Sequence, residues 1–106
     1  MTKLTFFRNK EHYMGFDCRG HSDFAESGSD IVCAAVSTAV QLCTEYLCSY
    51  HKDDIEFFVD ENNTQITLRC RVPLIAADRQ LSVLERFSQS ISEQYPDYFT
   101  FDFTEV

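Results

Sequence analysis

Ile66, Leu68, Cys70 and Val72 alternate with Thr67, Arg69 and Arg71, the clearest structural signal in the chain. Strict alternation puts apolar side chains on one face and polar ones on the other, so it predicts a half-buried strand. Such a strand needs neighbours to pair with and a second layer to cover its apolar face. The neighbours are present. Leu4 to Arg8 and Tyr13 to Cys18 are aromatic-rich runs separated by Asn9-Lys10-Glu11-His12, which predicts a β-hairpin with Met14, Phe16 and Cys18 on one face. Ile55, Phe57 and Val59 alternate with Glu56 and Phe58, and the polar turn Asp60-Glu61-Asn62-Asn63 joins that strand to the first one. A last strand is predicted from Tyr98 to Phe103, with Phe99, Phe101 and Phe103 on one face.

Two stretches supply the covering layer. Asp30 is the expected N-cap of a helix running to about Tyr50, with Ala35, Ala39, Leu42, Cys43, Tyr46 and Leu47 at helical spacing. Val72-Pro73 ends the strand before a second helix. Asp78 is its expected cap, Leu81, Leu84, Ile91 and Tyr95 form its stripe, and Pro96 stops it. The resulting order, ββαββαβ, predicts one α+β domain over residues 1–106, a two-layer sandwich with two helices packed on a mostly antiparallel sheet. A chain of 106 residues can build one core of that kind.

Composition narrows the function classes. Seventeen Asp and Glu against nine Lys and Arg give a net charge of −8. Such a surface repels nucleic acid phosphates, so no direct nucleic acid binding is expected, and it attracts a basic partner or simply aids solubility. No apolar run is expected to cross a bilayer, and MTKLTFFRNK reads as a strand rather than a leader, which predicts a cytoplasmic protein with no membrane partner. Five cysteines without a CxxC pair predict reduced thiols.

The chemistry concentrates in Gly20 to Ser37, GHSDFAESGSDIVCAAVS. Cys33 is expected in the first turn of the helix, where free amides and the positive end of the macrodipole favour a thiolate and could hold an oxyanion. His21, twelve positions earlier, could fold back as its base. Asp30 is a candidate orienting group for His21, unless it serves as the cap, and Ser37 a supporting hydroxyl, unless it bonds back to a helical carbonyl. The same residues leave other readings open: a core thiol at Cys33, a solvated loop histidine at His21, or zinc held by Cys18, His21 and Cys33, for which no fourth ligand stands at a convincing spacing. Cys43, Cys48 and Cys70 read as core. Phe6, Phe7, Phe16 and Phe58 are either core or subsite.

Gly20-His21, Gly28-x-Asp30 and the run Asp30-Ile31-Val32-Cys33-Ala34-Ala35-Val36-Ser37 resemble the signature of the bacterial ribosomal-processing cysteine proteases. Ser22 departs from the alanine more usual there. The resemblance implies a homodimeric cysteine endopeptidase that needs no cofactor. It would remove a short N-terminal extension from a large-subunit ribosomal protein, cutting after an aromatic residue. It places the nucleophile on Cys33 and the base on His21, with Gly28 a hinge of the loop that closes over substrate. A strongly basic ribosomal substrate would also give the acidic surface a purpose. The alternative is a non-catalytic binding protein for a basic ribosomal partner, with Cys33 an inert core thiol.

Overall fold

The computed structural model describes residues 1–20 and 27–106, with side chains described outside 21–30. The elements follow the expected order: β1 (Thr2–Asn9), β2 (His12–Arg19), α1 (Ser27–Tyr50), a short 3-10 turn (Lys52–Asp54), β3 (Ile55–Asp60), β4 (Gln65–Cys70), α2 (Ile75–Gln94) and β5 (Phe99–Glu105). The five strands form one sheet in the order β3-β4-β2-β1-β5. All pairings are antiparallel except β1 with β5, which run parallel because α2 returns the chain to the same end of the sheet.

Registers decide which side chains meet. Phe6 lies opposite Phe16, Phe16 opposite Leu68, and Leu68 opposite Phe57. Residues of that parity face the helices, and Leu4, Phe6, Phe16 and Leu68 are fully buried there. A register shift between Phe7 and Arg8 brings Tyr13 into the same core, its ring 6.0 Å from that of Phe6. The other face of the sheet is polar, carrying Lys3, Thr5, Asp17, Gln65 and Thr67. Phe7 stays buried on it because the Arg69 guanidinium covers its ring at 4.5 Å.

Several expectations are corrected. α1 begins at Ser27, so Asp30 lies inside the helix rather than capping it, and Gly28 is helical backbone rather than loop. A single glycine costs a helix only about 1 kcal/mol, too little to stop one whose later turns bury a core stripe. That stripe is Val32, Val36, Val40, Cys43 and Leu47; Leu42 and Tyr46 of the expected set are exposed and Ala39 is half-buried. Contrary to expectation, Ile31–Tyr50 is long and apolar enough by composition to cross a bilayer, with a mean hydropathy of 1.5. In this fold one side of it packs into the core, and Ile31, Leu42, Tyr46 and Tyr50 remain on the other.

Asp78 is not a cap either, since α2 starts three residues before it. Its carboxylate accepts the Tyr13 backbone N–H at 2.8 Å and lies 2.9 Å from His12 Nδ1, tying α2 to the hairpin. Val72 falls beyond β4 and is exposed. Leu81 and Leu84 are buried as expected, with Ala77 and Ser88 completing their row.

Candidate active site

A cavity of about 330 Å³ opens between α1 and the β3–β4–β2 part of the sheet. Its floor is one register row, Val59 opposite Ile66 and Ile66 opposite Cys18. Its roof is Cys33, Ser37 and Val40, which the helical repeat stacks one turn apart on one face of α1. Thr2, Arg19, Gly20 and the β3–β4 turn residues Asp60, Glu61 and Thr64 form the rim.

Gly20 is clamped in that rim. Its N–H donates to the Thr64 carbonyl at 3.2 Å, and its own carbonyl accepts from Thr2 Oγ1 at 3.2 Å. Its φ is +90°, and a Cβ there would stand 2.5 Å from the Met1 carbonyl oxygen. Only glycine fits. Gly20 precedes His21 in sequence, and His21 itself lies outside the described residues.

Cys33 is half-buried on the cavity wall, as a nucleophile that must meet a substrate carbonyl has to be. It is not in the first helical turn. With α1 starting at Ser27, Cys33 is in the second turn and its N–H is committed to an intrahelical bond, so the free amides of the first four residues lie about one to two turns before it. Ser37 lines the same cavity one turn on, and its Oγ accepts a hydrogen bond from Gln41 Nε2 at 3.2 Å. Of the three residues of the zinc reading, Cys18 and Cys33 line this one cavity.

Cys18 is the contrasting thiol. Burial first, then the charge of Asp17 and the proximity of Cys33, push it up to about 12. It is a protonated part of the floor at neutral pH. Cys43 and Cys70 are buried, and burial raises both, Cys70 to about 11. Behind the floor, on the open face, Asp17 accepts from Gln65, Thr67 and Arg19 at 2.6, 2.8 and 2.9 Å. Burial alone would raise its carboxyl, but those three donors together outweigh it and hold the group below its ordinary value.

Sequence reasoning missed the floor and the rim. Val59, Ile66 and Cys18 come from three strands, and only the two registers bring them into one row. Of the four phenylalanines offered as core or subsite, Phe6 and Phe16 are core, Phe7 lies under Arg69, Phe58 is exposed on the edge strand, and none of them lines this cavity.

A two-layer ββαββαβ domain with a half-buried cysteine in a helix-roofed cleft has the architecture of a small cysteine protease, and the chain belongs to the cysteine protease Prp family, which it matches over residues 1–100. No curated protein matches it significantly. Among solved structures it is similar to the essential ribosomal processing protease Prp from S. aureus in complex with a substrate peptide. The two share 19% identity and a TM-score of 0.81, covering 98% of this chain and 100% of that one. The same S. aureus protease with a covalently linked product peptide gives 21% identity and a TM-score of 0.78 over 98% and 100%. SMU.848 from Streptococcus mutans gives 22% identity and a TM-score of 0.82 over 100% and 96%.

Proposed function

We propose that this chain is a cytoplasmic, homodimeric cysteine endopeptidase that trims the N-terminal extension of a basic large-subunit ribosomal protein, with Cys33 as nucleophile and His21 as base. The observation that carries the reading is the half-buried Cys33 thiol on the wall of a peptide-sized cleft in a chain of this protease family. The similar S. aureus protein is a ribosomal processing protease in complex with a substrate peptide.

Cys33 Sγ gives its proton to His21 and attacks the scissile carbonyl. The tetrahedral intermediate collapses with His21 protonating the leaving amine, which frees the trimmed protein and leaves the extension as a thioester on Cys33. Water, deprotonated by His21, hydrolyses the thioester and restores the thiol. Asp30 lies one turn before Cys33 in α1 and serves as the orienting group for His21, Gly28 in the first turn of α1 lets the start of the helix give as a hinge, and Ser37 supports the thiol from one turn on. The net charge of −8 steers a basic substrate toward the enzyme.

The test is cleavage of a synthetic peptide spanning such an extension by wild type, Cys33→Ala and His21→Ala. Cutting by wild type, with both variants folded and inactive, is the expected result. An intact peptide with wild type, or full activity in Cys33→Ala, would instead favour a binding protein with an inert thiol.

A further inference from the structure

β3 is an edge strand with β4 on one side and, among the described residues, no strand on the other. Natural edges are normally guarded by lysine, proline or a bulge, because unpaired backbone groups recruit another strand. This one carries no lysine, proline or bulge, only the carboxylates Glu56 and Asp60. Three of its six residues, Phe57, Phe58 and Val59, are large apolar side chains between 41% and 56% exposed.

The direction of its backbone groups follows from the ladder. The Arg71 N–H donates to the Asp54 carbonyl at 2.8 Å, which makes that opposed pair a hydrogen-bonded one. Antiparallel alternation then turns Glu56, Phe58 and Asp60 toward β4, and Ile55, Phe57 and Val59 outward. The Ile55 N–H is consistent with this, since it bonds to the Lys52 carbonyl instead of the sheet. Among the described residues, the N–H and C=O of Phe57 and Val59 face no strand.

Two further features select an occupant. Val59 and Asp60, at the C-terminal end of β3, also line the Cys33 cavity, so a chain paired along this edge is led to that cavity. Between Lys52 and Glu61 stand five carboxylates, Asp53, Asp54, Glu56, Asp60 and Glu61, against one basic residue, Lys52, and of the five Glu56 already pairs with Arg71 at 3.3 Å. We infer that the outer edge of β3 is a docking strand for an extended, basic peptide segment. Its backbone pairs with Phe57 and Val59, its apolar side chains lie against Phe57 and Phe58, and its cationic ones meet the flanking carboxylates. This rests on the protease reading, in which the docked segment is the part of the substrate running away from the scissile bond.

The probe is a fluorescein-labelled peptide in which lysines alternate with threonine and phenylalanine, followed by anisotropy with the full-length Cys33→Ser protein. N-methylating every second amide of the peptide removes the donors of one edge and should weaken binding about tenfold, the equivalent of one to two net hydrogen bonds. Phe57→Pro, which deletes an outward N–H without touching the β4 ladder, should do the same. Replacing the lysines by glutamate should abolish binding. Absence of binding, or binding indifferent to N-methylation in both registers, overturns the inference even where Phe57→Pro fails to fold. A dimer seen by sedimentation that Phe57→Pro dissociates would assign the edge to a second copy and equally overturn it. Cleavage by the Cys33 protein is scored separately. Edge-dependent binding without cleavage would remove the protease reading alone, and cleavage with unchanged KM in Phe57→Pro would remove the docking strand alone.

Discussion

Gly15→Ala is the substitution whose cost the structure specifies most directly. Gly15 sits in β2, opposite Phe7 on one side and Arg69 on the other, at a φ of +135°. A Cβ at that position would stand 1.9 Å from the Leu68 carbonyl oxygen, 2.9 Å from its carbon and 3.0 Å from Arg69 Cα. All three are backbone atoms, so no side-chain rotation relieves the overlap. Two terms add. Holding a non-glycine residue at such a φ costs about 1–3 kcal/mol. Pushing β4 away from β2 sacrifices one or two ladder hydrogen bonds at about 1 kcal/mol each.

The sum, about 2–5 kcal/mol, is a large part of the roughly 5–15 kcal/mol that stabilises a domain of this kind. At about 4–6 °C per kcal/mol, the melting temperature should fall by about 8–30 °C. Circular dichroism during heating, with urea unfolding as a second measure, reads this directly. The β2–β4 register also sets Cys18 beside Ile66 in the cavity floor, so cleavage measured well below the melting point should fall too. A variant within about 1 kcal/mol of wild type, with an unchanged denaturant slope, would refute the reasoning, because it would mean the two strands separate without cost.

Other outcomes are equally definite. Asp78→Ala should cost about 2 kcal/mol in urea unfolding, since it strips the acceptor from the Tyr13 N–H and the partner from His12. Asp17 has its carboxyl held low in the folded state, so it stabilises the protein above the unfolded carboxylate range and that stabilisation is lost as pH falls through the folded value. Part of the acid limb of the stability–pH curve, followed by urea unfolding at each pH, should therefore belong to Asp17, and Asp17→Asn should be less stable at neutral pH and flatten that limb; an unchanged limb refutes the assignment. At about pH 7.5 thiols pushed up to about 11 and about 12 are almost wholly protonated, so brief iodoacetamide treatment of the native protein should spare Cys70 and Cys18. Early modification of Cys18 seen by mass spectrometry would contradict its place in the floor.

Much of the fold was legible because local periodicity carries it. The alternation from Ile66 to Cys70 is a half-buried strand, Pro73 and Pro96 fall outside α2, and the hairpin turn stands where polar residues interrupt two aromatic runs. The burying face of α1 was not legible. Residues 31–50 are apolar on two sides, and a stripe through Val36, Val40 and Cys43 has the same spacing as one through Ala35, Ala39 and Leu42. Only packing chooses between them. The helix start was misplaced because Ser27, Gly28, Ser29 and Asp30 are residue types that favour caps and turns, a weak preference that the rest of the helix overrides. Of the motif's residues, Cys33 and Ser37 line the cavity, and His21 lies outside the described residues. The floor was invisible for a different reason. A one-residue slip in either pairing would turn Val59 or Cys18 to the opposite face, and register is not written in any single strand.

The parallel pairing of β1 with β5 makes the first strand made wait for the last. Thr2, part of the cavity rim, donates its N–H to the Tyr98 carbonyl at 2.9 Å, and Thr2 to Arg8 pair with Phe99 to Glu105. A chain in which β5 has not yet paired leaves β1, with Leu4 and Phe6, as an open edge, the kind of species that aggregates. The cleft is thus finished only once β5 has docked. Loss of β5, remote in sequence from Cys33, would leave an enzyme unable to assemble its own rim.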